Sequence, residues 1–218
     1  MFISTHSSFV ANNSVTPFIA LKKDTYDYFL KLPGYNTLRI LLANQAILVE
    51  GPADELIIQR AYMDNYGKLP IEDGIDVVTV DSLAFQRYCE LAALICKHLT
   101  VVTDNDGNVD AVINRYKKYD DLVTLCVEQD NSLNTLEPSV LAVNMDDFEG
   151  FKSIIYLGKD IRTRDATSIL NFMIGNKTEW SMRVFTNEKS IAYPQYILKV
   201  IGITNDGTDD CSEAGGDE

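Results

Sequence analysis

Between Gln45 and Glu128 the chain switches repeatedly between two hydrophobic periods, and that switching leaves few folds open to it. Ala46–Glu50, Asp76–Val80, Leu99–Thr103 and Leu122–Val127 are short apolar or β-branched runs that read as strands. Between them, Glu55–Asn65, Leu83–Leu94 and Val109–Lys118 space their apolar residues as helices do, with Leu56, Ile57, Ala61 and Tyr62 as the clearest set. Four strands alternating with three helices predict parallel βαβ units with right-handed crossovers, hence an α/β fold around a four-stranded parallel sheet flanked by helices. After Asn134 the character changes to longer stretches of helical period. Asp146–Leu157, Ala166–Ile174, Lys177–Val184 and Pro194–Ile203 follow it, with Gly158, Gly175 and Asn187 near the breaks, so an additional helical domain is expected. The first 40 residues are punctuated by SVTPF and KLPGYN and hold no domain-sized core, while the tail NDGTDDCSEAGGDE has no apolar face to bury and should be disordered.

Three acidic residues stand where such a sheet concentrates its chemistry. Glu50 closes ILVE, and Asp104 and Asp106 follow LTVVT. Parallel strands present their carboxyl ends on one edge, the edge where open α/β sheets place their sites, so the three converge if the two strands are neighbours. In Asp104-Asn105-Asp106-Gly107 the alternation lets two carboxylates point into one space from a tight loop that Gly107 eases. Carboxylates held about 4 Å apart repel by roughly 4 kcal/mol per pair at an effective dielectric of about 20, and a hard cation relieves that. An oxygen-only ligand set with no clustered His or Cys favours Mg²⁺ or Mn²⁺ over zinc. Each motif also has a plainer reading: DNDG is a common turn, and in EGPAD the carboxylate of Asp54 can simply cap the helix that follows.

At this point the sequence resembles a known family. ILVEG followed by DxD after a hydrophobic strand is similar to the TOPRIM domain of topoisomerases, primases and certain nucleases, in which the glutamate does acid/base or metal work and the DxD binds Mg²⁺. The run FLKLPGYNTLRILLANQAILVEGPADELIIQRAY, with NTLEPSV (Asn134–Val140) and NKTEW (Asn176–Trp180), narrows the resemblance to OLD (overcoming lysogenization defect) ATP-dependent nucleases, class 2-like, which join an ABC-type ATPase to a TOPRIM domain. The resemblance implies a remnant of the ATPase end and a linker over 1–40, the TOPRIM catalytic domain over 41–134, a helical domain completing the active site over 135–204, and the acidic tail over 205–218. FISTHSS is similar to the last ATPase strand, with His6 as its switch histidine.

Residue by residue, the resemblance puts metal ligands or their supports at Glu50, Asp54, Asp104, Asp106 and Glu137, with Glu50 also catalytic. Asp54 stands where the family often has a second glutamate. Lys177 corresponds to the family's lysine near the metals, where it would neutralise charge building up on a phosphate. Asp130 reads either as a further contributor or as a strand-to-loop exit. The implied activity is hydrolysis of DNA phosphodiester bonds by a two-metal mechanism with Mg²⁺ or Mn²⁺, Ca²⁺ being a substitute that does not support catalysis. A topoisomerase- or primase-type TOPRIM enzyme, and a non-catalytic DNA-binding or assembly module, remain as alternatives.

The formal charge of −13 runs against a nucleic-acid enzyme until it is divided along the chain. Residues 1–150 carry 11 basic and 22 acidic groups, whereas residues 151–200 carry 8 basic and 4 acidic ones. Lys159, Arg162, Arg164 and Arg183 in that basic segment are candidates for holding the phosphate backbone. No apolar run approaches the roughly 20 residues that span a bilayer, and MFISTHSS lacks a basic leader and a cleavage site, so a cytoplasmic protein with no membrane contact is expected. The four cysteines, Cys89, Cys96, Cys126 and Cys211, fall in no ligand spacing and read as buried reduced thiols.

Overall fold

The computed structural model describes residues 23–31, 35–80 and 84–202. Two helices, α1 (Lys23–Lys31) and α2 (Tyr35–Leu42), precede the core unit. That unit runs β1 (Gln45–Val49), α3 (Pro52–Tyr66), β2 (Ile75–Thr79), α4 (Phe85–Leu94), β3 (Leu99–Val102), α5 (Val109–Tyr116) and β4 (Val123–Cys126). Five helices follow: α6 (Leu136–Val143), α7 (Phe148–Ile155), α8 (Ala166–Gly175), α9 (Lys177–Thr186) and α10 (Gln195–Val200). His6, the ATPase-like start and the acidic tail lie outside the described residues.

The four strands form one parallel sheet in the order β2-β1-β3-β4. Ala46 pairs with Leu99 and with Asp76, and Leu99 pairs with Val123, so the strand ends lie nearly level. Strand order reverses between β1 and β3: the chain leaves β1 for β2 on one side and later returns to place β3 on the other. The loops leaving β1 and β3 at their carboxyl ends therefore diverge, and a crevice opens between them.

Both sheet faces are covered, which explains why the strands are apolar almost throughout. Alternate residues of β1 serve opposite cores. Ala46 and Leu48 pack with Phe29, Ile40, Phe85, Tyr88 and Val112 on the face covered by α1, α2, α4 and α5. Ile47 and Val49 pack with Ile57 and Ala61 of α3 and with Val140, Ile155, Met173, Trp180 and Ile197 on the other. The C-terminal helices thus share a single core with the sheet. Polar ties reinforce this: Arg60 in α3 donates to the carbonyls of Phe185 (3.1 Å) and Asn187, and Tyr66 donates to the carbonyl of Ile201 (2.8 Å).

Helices α1 and α2 also belong to the sheet's packing. β2 is an edge strand whose outer carbonyls need partners. Asn36 donates to the carbonyl of Thr79 (3.1 Å), and Arg39 donates to that of Val77 (2.7 Å) while forking onto the Asp76 carboxylate at 2.6 and 3.0 Å. Cys89 and Cys126 are buried thiols as expected and Cys211 lies outside the described residues, but Cys96 is exposed. It sits beyond the end of α4 at φ 52°, in a turn rather than on the helix's apolar face. Among the described residues no helix is long and apolar enough to cross a membrane.

Candidate metal centre

Glu50 follows β1 directly and is fixed by β3. Its Oε1 accepts from the Thr103 hydroxyl and from the Asp104 N–H (3.1 Å), so the first residues beyond two neighbouring strands are tied through one oxygen. Asp54 lies one turn on, in the first turn of α3, where Pro52 is preset for helix and removes an N–H that needs no partner. The Asp54 Oδ2 accepts from the Gly51 N–H at 3.1 Å, so the cap read from the sequence is real, yet the same carboxylate also faces Glu50 and Glu137. Burial pushes the Asp54 carboxyl up to about 7, with Glu50 and then Glu137 adding to it against the Gly51 hydrogen bond. Asp104 is pushed up to about 8, by burial first and then by Asp54 and Glu50, with Lys177 pulling the other way.

Glu137 enters from α6. Thr135, just before that helix, donates its hydroxyl to Glu137 Oε2 at 2.9 Å, and Pro138 is tolerated because it falls in the first turn. Glu137 is only 1% exposed, and its Oε1 has no hydrogen-bond partner. The ammonium of Lys177 lies 3.3 Å from that oxygen, an ion pair outside hydrogen-bonding geometry. Lys177 is the first residue of α9, and the helix is seated by the fully buried Trp180 one turn later. Burial lowers the Lys177 pKa, but Glu137, Asp104 and Asp54 outweigh it and hold the net shift upward.

Four carboxylates from four segments therefore act on one another around one lysine. Two of them hold protons near neutrality, and a third, Glu137, is buried with the Lys177 ammonium 3.3 Å from its Oε1. Oxygen-only chemistry of this kind suits a hard divalent cation, which would take the place of the protons. Among the described residues no three His, Cys, Asp or Glu side chains are already gathered into an ion-binding cage, so closure would need side-chain adjustment.

The other residues singled out from the sequence are placed differently. Asp106 is exposed at φ 51°, a left-handed conformation followed by Gly107 at φ 79°. The Asp130 carboxylate is taken by the amide and hydroxyl of Ser132, at 2.8 and 2.7 Å. Arg164 pairs with Asp160 (2.7 Å) over the Tyr156 ring, and Arg183 pairs with Glu179 (2.6 Å). Lys159 and Arg162 are exposed.

Two residues not singled out as site residues belong to the centre. Tyr196 of α10 is buried, and its hydroxyl pKa lies well above the ordinary value because of burial and then Asp54, Asp104, Glu128 and Glu137. Asn105, between the two aspartates, is 1% exposed.

Comparison with known proteins bears on the fold that holds these residues. A search of curated proteins finds no match. Two solved structures of the C-terminal region of the Xanthomonas campestris pv. campestris OLD protein, one phased with platinum and one with iodine, superpose with TM-scores of 0.53 and 0.52 at 18% identity. The first covers 75% of this chain and 92% of its own, the second 74% and 94%. At that identity the likeness is one of fold. Residues 41–106, which contain Glu50, Asp54, Asp104 and Asp106, match the family model for the overcoming lysogenization defect protein-like TOPRIM domain, and the parallel sheet flanked by helices around them is a TOPRIM-type fold.

Proposed function

We propose that this chain is the cutting part of an OLD-type nuclease, hydrolysing DNA phosphodiester bonds with Mg²⁺ or Mn²⁺. What carries the reading is the convergence of Glu50, Asp54, Asp104 and Glu137 at the strand-end crevice, with the half-exposed Lys177 beside them. Bound there, divalent ions, two in the fullest form, would lower the pKa of an attacking water and stabilise the leaving oxygen. Glu50 and Asp104 are the natural first ligands, because strand pairing holds them in place before any ion arrives. Asp54 and Glu137 would complete the set, and Asp106 would join only by turning inward from its exposed position. Lys177, at the positive end of α9, can shift its ammonium from Glu137 to a phosphate oxygen and neutralise charge as it develops.

Lys159 and Arg162 are free to meet a DNA backbone from solvent, whereas Arg164 and Arg183 would have to exchange Asp160 and Glu179 for phosphate. In this reading an ABC-type ATPase domain in the same polypeptide governs cutting. The test is plasmid cleavage with Mg²⁺ or Mn²⁺ by wild type, Asp104→Asn and Lys177→Ala; cleavage unchanged in both variants removes the reading. A non-catalytic assembly module is a second reading, favoured by the net charge of −13. Calorimetry separates the two, since a module would take up no Mn²⁺ at these carboxylates.

A further inference from the structure

The buried amide of Asn105 is fully engaged, and its partners lie on the neighbouring strand's loop. Its Nδ2 donates to the carbonyls of Glu128 and Asp130, both at 2.9 Å, and its Oδ1 accepts from the Gly107 N–H at 2.8 Å. Two carbonyls on one side and an N–H on the other fix which end of the amide is nitrogen. The Asn105 carbonyl accepts from the Asn108 N–H at 2.8 Å, and the Asn108 side chain then caps α5 through the Ala111 N–H (3.1 Å). A second asparagine returns the contact: Asn131, in the β4–α6 connection, accepts from the Val109 N–H at 2.8 Å. The loops after β3 and β4 are thus clasped by reciprocal asparagine side chains.

This clasp has a direction. On one side it holds the loop that carries Asp104, whose N–H is bonded to Glu50, and keeps Asp106 and Gly107 in consecutive left-handed conformations that an aspartate adopts at some cost. On the other it holds the segment from Glu128 to Asn131 that leads into α6 and Glu137. Asp104 is set by β3 and Glu137 by α6, and Asn105 is the buried side chain that bonds one loop to the other.

We infer that Asn105 is a positioning residue that sets the separation of Asp104 and Glu137, and through it the divalent-ion affinity of the centre; this rests on the metal-dependent reading above. Asn105→Asp is the sharpest probe, because it keeps the shape while turning a donor toward two carbonyl oxygens into an acceptor. Outer-shell partners of ligands typically change metal affinity by about 10- to 100-fold when mutated. Asn105→Asp should therefore weaken Mn²⁺ binding by calorimetry at least about tenfold, with the far-UV spectrum unchanged. Without any metal, amide exchange at Gly107 and Val109 should quicken. Asn131→Ala loosens the clasp from its exposed side and should weaken Mn²⁺ binding a few-fold; it serves as well if Asn105→Asp does not fold. Wild-type Mn²⁺ affinity in the folded variants overturns the role of Asn105 while leaving the nuclease reading intact. Absence of any Asp104-dependent Mn²⁺ uptake by the wild-type chain overturns both.

Discussion

The two faces of the sheet are equally buried but differently made. On the face covered by α1, α2, α4 and α5 the core is aliphatic and aromatic, with Phe29, Tyr28 and Tyr88 meeting edge to face at 5.2 to 6.4 Å. On the face covered by α3 and α6 to α10, charged side chains penetrate the packing: Glu137 and Lys152 are 1% and 2% exposed, and Arg60 is 5% exposed. Orphaned buried atoms occur on both sides, at Thr37 Oγ1 and the Tyr119 hydroxyl on the first and at Trp180 Nε1 and Arg183 Nε on the second. Buried charge is costly unless paired, so a fold gains nothing in stability by gathering it on one side. Under the proposed function, the first face is a foundation and the second carries the chemistry.

That division can be broken by exchanging the consequences of mutations on the two sides. Phe85, fully buried on the foundation face, should cost about 3–5 kcal/mol as Phe85→Ala in urea unfolding, while the molecules that remain folded bind Mn²⁺ as wild type does. A loss of metal affinity in the folded fraction would merge the two faces into one function. Lys177→Ala should instead lower DNA cleavage by about 10²-fold or more in a plasmid assay, and it should also lower the urea midpoint, because the buried Glu137 carboxylate loses its ion-pair partner.

The pH dependence comes next in size. Asp54 and Asp104 have folded pKa values of about 7 and about 8 against 3.8 for the ordinary carboxyl, so the folded chain binds more protons than the unfolded one between these limits. Their contribution to stability is present at low pH and is lost as pH rises through 7 to 8. Without divalent ions the melting temperature should therefore be higher at pH 6 than at pH 9; Asp104→Asn should flatten the profile, and Mn²⁺ should do so at the alkaline end. A metal-free profile that rises toward pH 9 would contradict the crowding of these carboxylates. The smallest effect is expected at Arg164→Ala, whose exposed pair with Asp160 should leave the urea midpoint unresolved from wild type. If Arg164 meets DNA, binding should weaken a few-fold, more at low salt.

The strands were legible in the sequence to within one residue, as the β1 and β3 runs show, because strands buried on both faces must be continuously apolar. α6 was not, since Pro138 interrupts a helical pattern that in fact tolerates it in the first turn. α1 and α2 were missed because their apolar residues answer to the sheet edge and to α4, partners distant in sequence. Within the centre, Glu50 and Asp104 follow from strand-end geometry. Glu137 came only through resemblance, for nothing local distinguishes a glutamate that will be 1% exposed. Tyr196 and the role of Asn105 depend on tertiary contacts that no spacing reveals. The pairing of Arg164 and Arg183, by contrast, was readable: Asp160 and Glu179 stand four residues before them, the spacing at which helical charges meet.

The single oxygen of Glu50 that ties Thr103 and Asp104 to β1 has a consequence for how such a chain can change over time. The placement of the two strand ends that bear its first two carboxylates is inherited from the Ala46–Leu99 register, which shifts only if two buried strands slip past each other. Glu137 and Lys177 arrive on helices, whose placement drifts with every repacking of the core beneath them. Half of the centre is thus ruled like a crystal lattice and half is adjustable, so under the proposed function variation in the C-terminal helices would retune reach and selectivity while the strand ends stay where they were.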